Sequence, residues 1–303
     1  MVCRGGRCGV RFVAAALLCT RAAQLAVRPG GIDRRRALGA PAVLLGGGPK
    51  IASAASLSTA RALSDSEFYV TYPYRTAGDV VPFLENCATR NDPDSVLAAL
   101  ELWADRYPMF QLGPAKGAIL DEAVRTARPR KALEIGTFLG YSAVRIARAL
   151  RNNDGALCCV EASPEFADVA RRVLEYAGLG GGATVVVAKG ADCADAVVEA
   201  FGGGDTHDAA LDLVFLDHAK EAYAPDLQRL EARHLVRPGT VVVADNVVFP
   251  GAPGYLDYVA PPRYRTRLVA APYEARGWET NWEPHDDAVA VSVRLAEDEV
   301  GEV

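Results

Sequence analysis

The sequence predicts an α/β fold in which helices cover both faces of a mostly parallel sheet. Five short apolar runs, each typical of a buried strand, alternate along the chain with segments of helical periodicity. Strands joined by helical crossovers pair in parallel, because a crossover returns the chain to the same end of the sheet. The 303 residues are 50% hydrophobic and 23% charged, as in ordinary globular proteins. We therefore expect one large domain preceded by a short additional segment.

The order of the elements follows from the spacing of apolar residues and from helix start signals. A cap region at 91–93 predicts a helix over 94–107, and Pro114, at a first helical position, predicts a second. Strands are then predicted at 131–136, 157–161, 184–188, 211–217 and 240–245, with helices at 140–151, 164–177, 192–201 and 222–235. Two later strand-like runs, 265–270 and 288–295, would close the sheet with an antiparallel pair. Together, the five parallel strands and the two closing strands predict a seven-stranded, doubly wound, Rossmann-like sheet.

Residues 1–63 are expected to be a targeting segment, removed or disordered, ahead of a single domain over 64–303. They carry ten Lys or Arg and one acidic residue. Arginines precede an apolar run over 12–19, too short for a membrane span of about 20 residues, and a second such unit begins at 34–36. Two leaders in tandem resemble the plastid presequences of algae with secondary plastids. Secretion, mitochondrial targeting and a disordered segment without a targeting signal remain alternatives. No stable membrane span is expected in the mature chain.

The body of the chain is acidic, which bears on its partners. Beyond the head it carries 23 Lys or Arg against 37 Asp or Glu. Nucleic-acid binding depends on clustered Lys and Arg, so we expect no nucleic-acid partner. The body cysteines, Cys87, Cys158, Cys159 and Cys193, show no C-x-x-C spacing, which argues against a structural zinc site. The adjacent pair Cys158 and Cys159 is expected to face opposite sides of a strand.

A Gly-rich turn follows the first predicted strand. Gly136 and Gly140 form G-x-x-x-G rather than the G-x-G-x-x-G that places a pyrophosphate on a helix end. Glu161 ends the next strand, where a carboxylate can accept hydrogen bonds from both hydroxyls of a ribose. The combination fits a nucleoside without a pyrophosphate, as in S-adenosylmethionine, better than it fits NAD.

Oxygen-bearing side chains follow the fourth and fifth predicted strands. Asp217 ends one strand, and Asp245 with Asn246 ends the next. Because ligands of such sheets lie beyond the carboxyl ends of the strands, these three residues predict a site for a hard cation such as Mg²⁺. Zinc would require His or Cys, and only His218 is close in sequence. Lys220 can reach the same cleft and act as a general base.

Several stretches match one family in step over about 94–295. They are GPAKG (113–117), LEIGTFLGYSAVRIARAL (133–150), Glu161, EYAGL (175–179), LVFLDHAKEAY (213–223) and VVADNVVFPGAPGYLDY (242–258). On these residues the chain resembles the catechol O-methyltransferases. The resemblance implies an enzyme dependent on S-adenosylmethionine and Mg²⁺ that methylates one hydroxyl of a catechol-like vicinal diol, a small aromatic substrate. We expect a monomer.

The resemblance also implies residue roles. Asp217, Asp245 and Asn246 would bind Mg²⁺, Lys220 would take the proton from the attacking hydroxyl, and Glu274 would hold the other hydroxyl. The residues implied to contact S-adenosylmethionine are Gln111, Leu112, Glu134, Gly136, Phe138, Tyr141, Ser142, Glu161, Asp192, Asp217 and His218. In this set Glu161 takes the ribose, and Gln111 and Leu112 close over the methyl donor.

Some positions depart from the family pattern. Ala219 stands where a Trp is usual beside the adenine, and Asp192-Cys193 replaces a Ser-Gln pair, with Asp192 still able to accept from an exocyclic amine. Phe110 and Pro108 replace a Met and a Trp that gate the substrate cleft. Two alternatives remain: an enzyme of the caffeoyl-CoA type on the same scaffold, and a non-catalytic binding protein. An NAD-linked oxidoreductase is disfavoured by the glycine spacing.

Overall fold

The computed structural model of the chain describes residues 76–106, 109–190, 192–202, 208–273 and 285–296. The predicted targeting segment, 1–63, lies outside the described residues, so its role and its plastid destination stay predictions. The predicted domain is described from Thr76 onward. Among the described residues, every helix is too short or too polar to cross a bilayer.

Seven strands form one sheet, which confirms the predicted fold class. They are β1 (Lys131–Ile135), β2 (Ala156–Glu161), β3 (Ala183–Val187), β4 (Leu213–Leu216), β5 (Val241–Ala244), β6 (Tyr264–Tyr273) and β7 (His285–Arg294). Their order in the sheet is β3-β2-β1-β4-β5-β7-β6. The first five pair in parallel, and β7 pairs antiparallel with both β5 and β6. The antiparallel closing pair is therefore present as predicted.

Helices precede the sheet and connect its parallel strands. They are α1 (Val80–Cys87), α2 (Pro93–Ala104), α3 (Gly113–Ala127), α4 (Tyr141–Leu150), α5 (Pro164–Tyr176), α6 (Asp192–Gly202), α7 (Tyr223–Ala232) and α8 (Pro253–Tyr258). The predicted helices are confirmed within a few residues at their ends. The sequence patterns did not predict α1 and α8, because their 8 and 6 residues are too few to show a helical period.

The strand order reverses direction at β1, and this fixes where a ligand can bind. From β1 the chain moves outward through β2 to β3, and then returns to β4 on the other side of β1. The connecting helices consequently leave β1 and β4 toward opposite faces and open a crevice at the carboxyl ends of these two strands. The Gly-rich turn after β1 and Asp217 after β4 both lie at this crevice.

Two apolar clusters cover the two faces of the sheet. Ala132 packs in one cluster, whereas its neighbour Leu133 packs in the other. Cys159 and Cys158 divide between the same two clusters, which confirms that they face opposite sides of β2. Both cysteines are fully buried and act as small apolar side chains.

Candidate active site

The turn after β1 brings the backbone of β1 against that of β4. Gly136 has a φ of +93°, and a Cβ placed on it would lie 2.6 Å from the carbonyl oxygen of Asp217. Only glycine adopts this positive φ without strain and has no Cβ to clash with that oxygen. A narrow cleft of about 30 Å³ opens beside this turn. Its lining residues are Phe110, Gln111, Leu112, Gly136, Thr137, Phe138, Tyr141, Ser142 and Asp217. The structure therefore brings seven of the predicted cofactor residues around one cleft.

Several buried polar groups at this end of the sheet have no hydrogen-bond partner within the described residues. They include both amide atoms of Gln111, and neither carboxylate oxygen of Glu134 has a well-formed hydrogen bond. The side chains of Ser142, Thr137 and Cys159 face that carboxylate and act to lower its pKa. Glu134 is fully buried, and this burial, together with the charge of Asp217, raises its pKa to about 7. A buried group without a partner is costly unless a ligand supplies one. A carboxylate in this state suits a cationic group such as the ammonium of an amino acid.

Glu134 gives a testable pH dependence. With a folded-state pKa raised to about 7, Glu134 keeps a proton that the unfolded chain releases above about pH 4.5. The free energy of unfolding of the ligand-free chain should therefore fall as pH rises from about 4.5 through 7. In Glu134→Gln, the decrease in the free energy of unfolding over this pH range should be smaller by roughly 3 kcal/mol. Denaturant unfolding across this pH range measures the effect. Exposed Glu165→Gln is the control, and a Glu134→Gln profile that keeps the full slope would contradict the assignment.

The carboxylate of Glu161 is fixed at the end of β2 by two backbone donors. Its Oε2 accepts from the N–H of Phe138 at 2.8 Å, and its Oε1 accepts from the N–H of Ser163 at 2.8 Å. Phe138 reaches this position with a φ of +50°. Each oxygen keeps a second lone pair, because a carboxylate oxygen accepts more than one hydrogen bond. The side chain can therefore still accept further hydrogen bonds, and its role at a ribose stays a prediction.

Besides Glu134 and Glu161, two more predicted cofactor residues, Asp192 and His218, lie outside the cleft lining. Asp192 is exposed at the first position of α6. His218 lies with its Nε2 3.0 Å from Oδ2 of Asp226, and its ring centroid is 5.0 Å from that of Tyr223. The Nδ1 of His218 is buried without a partner in the described residues. The roles of both residues in binding S-adenosylmethionine stay predictions.

The three predicted metal ligands come together at the ends of two adjacent strands. Asp217 follows β4, and Asp245 with Asn246 follows β5, which pairs with β4 in parallel. Burial and the charge of Asp217 raise the pKa of Asp245 above its ordinary value, against the opposing effect of Lys116. Two carboxylates that repel one another favour a cation between them. The donor set of two carboxylates and an amide oxygen fits Mg²⁺.

The proposed set of metal ligands is complete only with the amide oxygen of Asn246. Within the described residues no group of three or more His, Cys, Asp or Glu side chains is arranged to hold a metal. Asn246 adopts a left-handed backbone with φ +56° and donates its Nδ2 to Asp287 at 3.0 Å. Its carbonyl oxygen makes no hydrogen bond to the described residues, so that oxygen is available to a cation. Glu274, the other predicted diol-binding residue, lies outside the described residues.

Two buried charged residues of the site were missed by the sequence reasoning. The ammonium of Lys116, on α3, lies 2.9 Å from Oδ1 of Asp245 and 2.5 Å from Oδ2 of Asp287. Burial alone would lower the pKa of Lys116, but the two carboxylates outweigh it and raise that pKa. Burial would likewise raise the pKa of Asp287, but Lys116 and backbone donors lower it. The GPAKG match and the acid before the last apolar strand were the available signals.

Lys220, the predicted base, is held by two oxygens. Its Nζ donates to Oδ1 of Asp217 at 3.0 Å and to the hydroxyl of Tyr223 at 2.6 Å. Tyr223 in turn donates to the backbone carbonyl of Asp245 at 3.2 Å. Burial raises the pKa of Tyr223 well above its ordinary value, so the phenol stays protonated. The amine is thereby held beside the carboxylate of Asp217, and Tyr223 is a further contact that sequence reasoning did not assign.

Residues 95–260 match a family model described as O-methyltransferase, a segment that covers more than half of the chain. The chain belongs to the O-methyltransferase family. Among its relatives, a probable O-methyltransferase of Mycobacterium tuberculosis is 43% identical over 171 residues, which cover 55% of this chain and 70% of that protein. Catechol O-methyltransferase B of Danio rerio is 42% identical over 173 residues, covering 57% of this chain and 63% of that protein.

Catechol O-methyltransferase of Bos taurus is 40% identical over 173 residues, 57% of this chain and 61% of that protein. The matched part of this O-methyltransferase thus spans about three fifths of the two vertebrate relatives. Among solved structures, an O-methyltransferase from Bacillus cereus in complex with SAH has a TM-score of 0.52 at 23% identity and covers 75% of this chain and 96% of that chain. A putative O-methyltransferase from Klebsiella pneumoniae has a TM-score of 0.51 at 25% identity and covers 77% and 97%. These likenesses agree with the α/β fold.

Proposed function

We propose that this O-methyltransferase transfers a methyl group from S-adenosylmethionine to one hydroxyl of a catechol-like vicinal diol, with Mg²⁺ bound at the site. The observation that carries the proposal is the meeting of Asp217, Asp245 and Asn246 with Lys220 at one edge of the sheet, beside the cleft at Gly136. Cation ligands, a candidate base and a candidate donor cleft thus share one crevice. The names of the vertebrate relatives agree with a catechol substrate.

The donor side of the proposal rests on polar groups around the cleft that keep hydrogen-bonding capacity within the described residues. Glu134 and Gln111 offer buried acceptors and donors next to the cleft, and Glu161 offers a fixed carboxylate one strand away. These groups match the amino-acid end and the ribose of one ligand. S-adenosylmethionine supplies the methyl group on a positively charged sulfur. Asp217, which lines the cleft, places a carboxylate on the side from which this cation would be bound.

The acceptor side assigns Mg²⁺ to Asp217, Asp245 and Asn246. When bound, Mg²⁺ lowers the pKa of a coordinated hydroxyl and orients a vicinal diol. Lys220, in its amine form, accepts the proton of the attacking hydroxyl, and its contacts with Asp217 and Tyr223 hold the nitrogen in place. Glu274 is proposed to hold the second hydroxyl. Holding the nucleophile and the methyl donor together can lower the activation barrier by about 7–11 kcal/mol.

Phe110 favours an aromatic acceptor. It lines the cleft and the residue is 67% exposed, so it presents an apolar surface at the entrance. Ala219, where the catechol enzymes usually carry Trp, is exposed and provides little surface for an adenine. We therefore propose that the chain binds the donor more weakly than an enzyme with an aromatic wall at that position.

The proposed activity is tested with the purified full chain, labelled S-adenosylmethionine and a panel of acceptors. We expect transfer to catechol and to related vicinal diols, no transfer to the matched monohydric phenols, and a fall to background when a chelator removes divalent cations. Mg²⁺ added back should restore the rate. Transfer that survives the chelator would remove the metal from the proposal. Preference for a caffeoyl-CoA ester over every free diol would favour the rival substrate class, and donor binding without any transfer would favour a binding protein.

A further inference from the structure

Asp287, on β7, lies at the centre of a buried hydrogen-bond network that the proposed reaction does not use. Its side chain is fully buried. The donors to its Oδ1 are the backbone N–H groups of Val248 at 3.2 Å, Phe249 at 2.9 Å and Ala288 at 2.7 Å. Its Oδ2 accepts from Lys116 at 2.5 Å and from Nδ2 of Asn246 at 3.0 Å. Both oxygens are therefore engaged, and the carboxylate has little capacity left to bind a cation itself.

The bond to Asn246 determines which end of that amide is available to a ligand. A carboxylate only accepts hydrogen bonds, so the end of Asn246 that faces Asp287 must be the NH₂ group. The carbonyl oxygen of Asn246 is consequently the end left free. With the amide reversed, its oxygen would face Oδ2 of Asp287 with no proton between them. Hard cations bind oxygen and not an amide NH₂, so the orientation decides whether Asn246 can act as a ligand.

The same carboxylate also fixes the backbone that carries Asn246. That residue has a left-handed φ of +56°, and the chain beyond it turns so that two consecutive N–H groups, of Val248 and Phe249, point at Asp287. Lys116 connects Asp287 to Asp245, since its ammonium contacts both carboxylates. Two of the three proposed metal ligands are therefore tied to Asp287, one directly and one through Lys116.

We propose that Asp287 is a positioning residue for the cation site, which keeps the carbonyl oxygen of Asn246 turned to the metal. This inference rests on the proposed function, because it assumes that Asn246 is a ligand. Outer partners of metal ligands commonly contribute about 10- to 100-fold to metal affinity by orienting those ligands. Asp287 fills that role through hydrogen bonds, while Lys116 balances its charge.

The test is Asp287→Asn in the full chain, with Mg²⁺ binding measured by calorimetry and Mn²⁺ binding by electron paramagnetic resonance. An Asn at 287 keeps the shape and can still accept from the backbone donors, but it turns an NH₂ group toward Asn246. The amide of Asn246 should then reverse, and affinity for either cation should fall about 10- to 100-fold. Binding of S-adenosylmethionine measured without metal should change by less than about threefold. A wild-type affinity in Asp287→Asn would overturn the proposal.

Two further variants separate orientation from charge and from folding. Asp286→Asn removes the same charge from the exposed neighbour of Asp287 and should leave cation affinity within about threefold of wild type. The exchange Asn246→Asp with Asp287→Asn restores a donor facing an acceptor at unchanged net charge, and it should recover cation binding. If Asp287→Asn does not fold, the exchange decides: a folded exchange variant that binds cations supports positioning. An exchange variant that is unfolded, or folded without cation binding, overturns it.

These measurements distinguish the two proposals. If the wild-type chain binds neither Mg²⁺ nor Mn²⁺, the metal site of the proposed function is wrong, and the positioning role is overturned with it. If the wild type binds and Asp287→Asn binds equally well, the metal site stands and only the positioning role is wrong. Because cation binding is read directly, the result does not depend on finding the natural acceptor.

Discussion

Replacing Lys220 by alanine is expected to lower kcat for methyl transfer by about 100- to 10,000-fold, the usual contribution of a general base. The nitrogen of Lys220 lies 3.0 Å from Oδ1 of Asp217 and 2.6 Å from the hydroxyl of Tyr223, next to the proposed diol position. Removing the amine leaves the attacking hydroxyl without its proton acceptor. The Kd for S-adenosylmethionine should stay within about threefold of wild type, because no proposed donor contact is lost.

Lys220→Arg provides the sharper comparison. Arginine keeps the positive charge beside Asp217 but does not release its proton in proteins, so it cannot act as a base. We expect this variant to be as slow as Lys220→Ala. Exposed Lys189→Ala controls for loss of a surface charge and should retain full activity. Single-turnover rates and equilibrium donor binding give the two readouts. Substantial turnover in Lys220→Arg would show that the charge of residue 220 matters and that another group takes the proton.

The position of Lys220 was predictable because it lies three residues after Asp217, and the position of Asp217 follows from one rule about parallel sheets. Asp217 and Asp245 each come directly after a short apolar run, and the carboxyl ends of adjacent parallel strands meet at one edge. The structure places β4 beside β5 in parallel, so Asp217 and Asp245 follow neighbouring strands at one edge of the sheet. The same rule placed Gly136 and Glu161 at that edge. Local sequence was sufficient because each of these residues ends an apolar strand.

The roles of Lys116 and Asp287 could not be predicted in this way. The two residues are 171 positions apart, and they meet only because β7 inserts between β5 and β6. The sequence predicted an antiparallel closing pair, but the pattern of apolar residues is the same whichever of the two strands lies next to β5. Had β6 taken that place, Asp287 would lie one strand farther from Asn246. A buried lysine also resembles any other lysine in a helical pattern until its partners are known.

The donor cleft shows a further limit of sequence reasoning. Glu134 was assigned to the donor through a family resemblance, whereas the structure adds a physical reason, its complete burial without a well-formed hydrogen bond in the described residues. Glu161 shows the opposite, since both its oxygens already accept backbone hydrogen bonds. The sequence could not reveal that difference, because both residues are acids within apolar strands. Their variants should therefore behave differently.

Glu161→Ala is expected to weaken binding of S-adenosylmethionine by about 100-fold or more, through loss of two charged hydrogen bonds to ribose hydroxyls at about 1.5 kcal/mol or more each. Part of the loss would come from the turn after β1, because the N–H of Phe138 also loses its acceptor. A 2′-deoxy form of the donor separates the two effects. It lacks one ribose hydroxyl, so it should bind wild type more weakly than the normal donor but bind Glu161→Ala about equally.

Direct calorimetric titration of the donor checks this expectation, and exposed Glu165→Ala on α5 controls for the lost charge. At saturating donor, kcat of Glu161→Ala should remain within about tenfold of wild type, since Lys220 and the metal ligands are untouched. This is the reverse of the pattern for Lys220→Ala, where kcat falls and donor affinity persists. If Glu161→Ala binds the donor normally, or if it discriminates between the deoxy and normal donors as wild type does, the ribose lies elsewhere. In that case the donor would have to occupy the crevice in another orientation, with Glu161 serving only to hold the turn at Phe138.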